Sequence, residues 1–173
     1  DRDKQVITHF VQNEGYIDAK VDIKIEKAVD GKVTLHMTLD RGELYHVGNI
    51  KIKGNTLEES EDLEEALALK KGDVFSTEKV YASQEKIKTL YTKKGYLDTS
   101  VNYELVPDEN HTYDIVYTVD ESDRYKVGLI VVSGNKRTNN NVIYNNINLV
   151  PGTVLDSSQM KATQQRLQST GYF

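Results

Sequence analysis

No cysteine and no tryptophan occur in the 173 residues. The first absence excludes disulfides, thiol nucleophiles and cysteine–zinc sites, and it fits any redox compartment. There are only two prolines, so long proline-rich linkers are not expected. No stretch approaches the roughly 18–20 uninterrupted apolar residues of a membrane helix. The opening residues, DRDKQ, carry no leader pattern, which leaves targeting open. Net charge is −5 and spread along the chain, which argues against a general nucleic-acid binder.

Catalytic signals are also missing. The four histidines, His9, His36, His46 and His111, are scattered. None sits in an H-x-x-x-H or in a His/Asp/Glu cluster with metal-ligand spacing. Neither a G-x-x-x-x-G-K-[ST] nor a G-x-G-x-x-G loop is present. The sequence therefore reads as a chain without catalytic, cofactor-binding or metal-binding residues.

What is present is a repeat. Residues 45–55 read YHVGNIKIKGN and residues 125–135 read YKVGLIVVSGN. Aligning 9–55 with 89–135 at a constant shift of 80 gives twelve identities in 47 pairs without a gap. They include Gly15/Gly95, Tyr16/Tyr96, Asp18/Asp98, Val21/Val101, Tyr45/Tyr125, Gly48/Gly128 and Gly54/Gly134. The shift continues through Gly72/Gly152 and Ile87/Leu167. No histidine recurs as histidine. Repeats with periods of this kind mark tandem supersecondary units.

The unit can be read element by element. Ile50 and Ile52 alternate with polar residues, as in a short strand. Gly54-Asn55 ends it, and TLEESEDLEEALALKKG follows as a helix, acids first, lysines last, with a glycine stop. Leu63, Ala66 and Leu67 share its apolar face. A second helix starts after Ser76 with Val80, Ile87, Leu90 and Tyr91 as its buried stripe. In the next copy Asp156 and Gln159 stand in capping-box spacing. The strands VNYELV and YDIVYTVD follow, separated by the turn PDENH. The fold class is α+β: strand–helix–helix–strand–strand, repeated in tandem. Residues 1–43 are the end of one unit, 44–124 a whole one, and 125–173 the front of a third.

This order, with V-G-x-I-x-x-x-G-N at the start and G-Y-x-D-x-x-V after the second helix, resembles the POTRA domain, closest to the variable-number repeats of BamA-type outer-membrane assembly proteins. The resemblance rests on Val47, Gly48, Ile50, Gly54 and Asn55, on Gly95, Tyr96, Asp98 and Val101, and on their counterparts. It implies a three-stranded mixed sheet covered by two helices. It implies a periplasmic arm at the outer membrane of a diderm bacterium, receiving unfolded outer-membrane proteins and docking accessory assembly proteins. Contact with the membrane would run only through a barrel that this chain does not contain. A TamA-type factor, a two-partner secretion transporter and a mainly structural spacer are the alternatives.

The resemblance also implicates the second strand as an open edge for β-augmentation. Here that is Val101, Asn102, Tyr103, Glu104 and Leu105, and likewise Val21, Asp22, Ile23, Lys24 and Ile25. Their polar outward positions serve equally as guards against aggregation. The acidic run Glu58, Glu59, Glu61, Asp62, Glu64 and Glu65 reads either as a docking face for a basic partner or as a solvated helix start. Gly48, Gly54, Gly95, Gly128 and Gly134 read as turn and helix-end positions. Tyr16 and Tyr96 read as partly buried anchors, and Tyr45 and Tyr125 as residues of the joints. Those joints, 41–47 and 121–127, leave no slack and are expected to be semi-rigid. The half-units at 1–43 and 125–173 are complementary, so head-to-tail self-association between copies is a further expectation.

Overall fold

A computed structural model describes residues 2–27, 33–58 and 60–171. The elements run α1 (Arg2–Asn13), β1 (Lys20–Lys27), β2 (Val33–Asp40), β3 (His46–Lys53), α2 (Ser60–Glu65), α3 (Thr77–Lys93), β4 (Ser100–Asp108), β5 (Thr112–Asp120), α4 (Asn140–Tyr144) and α5 (Ser157–Ser169). β1 and β2 form an antiparallel pair from Lys20↔Asp40 to Lys27↔Val33. A three-stranded sheet has the order β3-β5-β4. β3 and β5 advance together: the His46 amide meets the His111 carbonyl, Asn49 meets Asp114, and Gly54 lies against Val119. That pair is parallel, whereas β4 and β5 are joined by a tight turn, so the sheet is mixed.

Contacts divide the chain into two compact units. One comprises Asp1–Lys53, Ala66–Gln84 and Tyr103–Tyr117; the other Gly54–Glu65, Glu85–Asn102 and Thr118–Phe173. In the first, Val47, Leu69, Phe75, Val80, Ile115 and Tyr117 are buried, with Val11, Ala19 and Val21 closing the α1 side. The Tyr117 hydroxyl donates to the Val80 carbonyl at 3.0 Å, fastening α3 to β5. Burial pushes this phenol up to about 12. In the second unit Leu63, Ile87, Tyr91, Val101, Val119, Val127 and Ile143 are buried. The inward alternation expected at 115, 117 and 119 is present.

Three expectations need correction. The first helix of the complete repeat is only six residues long, Ser60–Glu65. Past Glu65 other acceptors take the backbone amides: Ala68 donates to the Ser83 hydroxyl at 2.8 Å, and Lys70 to the Asp73 carboxylate at 2.8 Å. Leu69, beyond the helix, is buried instead of Leu67. Second, Gly48 and Gly128 are not turn positions, because neither takes a positive φ, whereas Gly54, Gly95 and Gly134 do. Gly48 lies inside β3, where a Cβ would stand 2.1 Å from the Asp114 carboxylate oxygen. Third, residues 127–134 form no strand ladder among the described residues; the isolated bridge Lys126↔Val154 lies just before them, and Val127 exchanges backbone hydrogen bonds with Thr153 and Gly152. A strand exists only through a partner strand.

Candidate functional site

β4 is an edge strand of the three-stranded sheet. Along it Val101 is buried, Tyr103 and Leu105 are half-buried, and Asn102, Glu104 and Val106 are exposed. Tyr103 meets Tyr117 edge-on with ring centroids 6.4 Å apart, which fixes the inward side. Pro107 lies within β4. Proline has no N–H to donate and is tolerated in strands at edges, so the sequence carried a sign of the edge. The other edge strand, β3, is engaged at its start. The Val47 amide donates to the Asp73 carbonyl and Gly72 donates to the Val47 carbonyl, both at 2.8 Å.

In the β1/β2 pair Val21 is buried and Ile23 half-buried, while Asp22, Lys24 and Ile25 are exposed. All of β2 is exposed, including Leu35 (63%) and Met37 (53%). Their counterparts in the complete repeat, Ile115 and Tyr117, are fully buried.

The acidic run divides. Glu61, Asp62, Glu64 and Glu65 are exposed. Glu58 is turned inward, 7% exposed, and its carboxylate is paired with the Lys94 ammonium. That hydrogen bond holds the Lys94 pKa above its usual value. Glu58 therefore does not belong to an exposed docking face; Glu59 lies outside the described residues.

Glu121, not singled out in the sequence, is a hub. Its carboxylate accepts from the amides of Thr56 at 2.8 Å and Leu57 at 2.9 Å, from the Tyr91 hydroxyl at 2.8 Å, and from the Thr56 hydroxyl. Burial alone would raise its pKa, but these donors together hold it below the usual carboxylate range. Tyr91 is pushed up by burial and by this bond. The position equivalent to Glu121 at the 80-residue shift is Arg41, so identity between the copies gave no signal.

A second missed pair does recur. The Ser83 hydroxyl accepts from the Ala68 amide, and eighty residues on the Thr163 hydroxyl accepts from the Asn148 amide at 3.0 Å. The signal was a conserved hydroxyl rather than a conserved residue. Asn55 and Asn135 are likewise equivalent: each side-chain amide donates to the carbonyl three residues on, Glu58 at 3.2 Å and Thr138 at 2.7 Å. Asp156 caps α5 by accepting from the Ser158 amide at 2.7 Å.

Among the described residues no group of three or more His, Cys, Asp or Glu could hold a metal ion. No described helix is long and apolar enough to cross a membrane.

Comparison with known proteins gives consistent matches. The family model POTRA, surface antigen variable number repeat, matches residues 45–122 and 125–173. The chain is similar to the outer membrane protein assembly factor BamA of Neorickettsia risticii, 27% identical over 172 residues, covering 99% of this chain and 23% of that protein. It is similar to the BamA of Neisseria meningitidis serogroup B, 26% identical over 176 residues, covering 99% of this chain and 22% of that one. The chain spans less than a quarter of either relative's length. Among solved structures, POTRA3-5 of Haemophilus influenzae BamA matches with a TM-score of 0.74 at 26% identity, covering 99% of this chain and 69% of that one.

Proposed function

Since this chain belongs to the POTRA family, we propose that it is part of the periplasmic arm of an outer-membrane β-barrel assembly protein, and that it receives unfolded outer-membrane proteins by adding their strands to the edge of β4. The observation that supports this reading is the sheet order β3-β5-β4, which leaves β4 at the edge with Asn102, Glu104 and Val106 exposed. Main-chain pairing at an edge reads shape more than sequence, which suits an arm with many clients. Pro107 limits the added strand to the residues before it. The strand Val21–Ile25, with Asp22, Lys24 and Ile25 exposed, offers a second edge of the same kind. The carboxylates of Glu61, Asp62, Glu64 and Glu65 are the face offered to a basic accessory protein. The arm works by holding and passing chains, without chemistry of its own.

The test is site-directed crosslinking. A photoreactive residue at Asn102 or Glu104 should capture an unfolded outer-membrane β-strand peptide, and one at the exposed Tyr81 of α3 should not. Equal capture at Tyr81 would contradict the reading.

A second reading concerns copies of the chain itself. Leu35 and Met37 of β2 are exposed where the complete repeat buries Ile115 and Tyr117 on β5, a strand flanked by β3 and β4. Residues 127–134, equivalent to β3, have no strand ladder among the described residues, and Leu129 is 88% exposed. Head-to-tail pairing of 127–134 with β2 of a second copy would cover both. Light scattering over a concentration series should then show mass rising with concentration; a monomer throughout would rule it out.

A further inference from the structure

The two joints, read residue by residue, carry the same set of contacts. At the first, the Tyr45 amide donates to the Gly15 carbonyl at 2.8 Å, and the Tyr45 hydroxyl donates to the Asp18 carboxylate at 3.0 Å. At the second, the Tyr125 amide donates to the Gly95 carbonyl at 2.8 Å, and its hydroxyl to the Asp98 carboxylate at 2.6 Å. One residue of the following repeat is thus held at both its backbone and its side-chain tip by the helix exit of the preceding one. Two separated points of attachment, one at the backbone amide and one at the tip of the ring, restrict rotation as well as distance.

The tyrosine passes this restraint into its own repeat. The Tyr45 carbonyl accepts from the Phe75 amide at 2.9 Å, and the Tyr125 carbonyl from the Leu155 amide at 3.1 Å. The glycine forms a third point. Gly15 and Gly95 have φ of +94° and +95°, and a Cβ on either would lie 2.5 Å from Val74 Cγ1 or 2.8 Å from Val154 Cγ1. Both are required by backbone conformation and by the approach of the next repeat.

The guanidinium contact separates a built device from a copied sequence. Arg41 lies over the Tyr16 ring at 5.6 Å, and Arg124 over the Tyr96 ring at 5.9 Å. These arginines are not equivalent at the 80-residue shift: position 121 is Glu, and position 44 is Leu. The same cation–π contact is reached from two different places in the joint.

We propose that Asp18–Tyr45 and Asp98–Tyr125 are positioning pairs that lock each repeat at a set angle to the next, the glycine at the helix exit serving as the seat. In both pairs the hydrogen bond to the aspartate is the leading cause that raises the phenol pKa, consistent with a hydroxyl that keeps its proton.

The test uses the whole chain and residual dipolar couplings, comparing α3 residues 85–93 with α5 in wild type, Tyr125→Phe, Asp98→Ala and Asp98→Asn. Asparagine keeps an acceptor oxygen and should preserve the wild-type alignment. Tyr125→Phe and Asp98→Ala should leave backbone shifts within each repeat unchanged. Their misaligned joint population should rise about two- to tenfold, the effect of losing one modest hydrogen bond. Unchanged alignment in both variants would overturn the proposal. So would an Asp98→Asn variant as disordered as Asp98→Ala. Tyr45→Phe repeats the test at the first joint, read between α1 and residues 103–117.

Discussion

A Cβ on Gly48 would stand 2.1 Å from the carboxylate oxygen of Asp114 that accepts the Asn49 amide at 2.5 Å. The glycine thus makes room for a carboxylate lying over the backbone of β3. The Asn49 amide and side chain hold the Asp114 pKa below the usual carboxylate range. Gly48→Ala should lower the melting temperature, and most of that loss should vanish in an Asp114→Ala background. A double-mutant cycle by thermal denaturation reads the coupling; strictly additive losses would mean the two residues do not meet.

Ser83 is fully buried on α3 and joins two elements: it accepts from Ala68 and donates to the Lys79 carbonyl, both at 2.8 Å. Removing the hydroxyl strands the Ala68 amide. Ser83→Ala should cost about 1–3 kcal/mol in urea denaturation, the range for an unsatisfied partly buried group. Ser83→Thr, the choice made at 163, should cost clearly less.

Glu121 sets a pH dependence whose sign follows from its lowered pKa. Its stabilisation is fully present above the unfolded-state value and is lost as pH falls through the folded one. Wild type should therefore lose stability on acidification into and below the usual carboxylate range. Glu121→Gln should be less stable near neutrality, and its deficit should shrink as pH falls. A constant deficit across the titration would show that the charge is not what binds Thr56, Leu57 and Tyr91.

Much of this was legible from period alone. The 80-residue shift located α1, α3 and α5, the β1/β2 pair and the β4/β5 hairpin, because each depends on a local alternation or an apolar stripe. What escaped depends on residues distant in sequence. The end of α2 is set by Ser83 and Asp73, the role of Gly48 by Asp114, and the inward turn of Glu58 by Lys94. Glu121 was invisible because its partners lie thirty and sixty-five residues away. The edge position of β4 was expected from the resemblance; Pro107 supplies an independent local reason.

The central claim is client capture at β4, and an NMR titration tests it most directly. Isotope-labelled chain is titrated with an unfolded outer-membrane-protein β-strand peptide while backbone amide shifts are followed. The account expects shifts concentrated on residues 100–106, with α3 silent and no shift beyond Pro107 on that strand. Shifts confined to residues 60–65, or none at millimolar peptide, would contradict it and leave the chain a docking surface or a spacer.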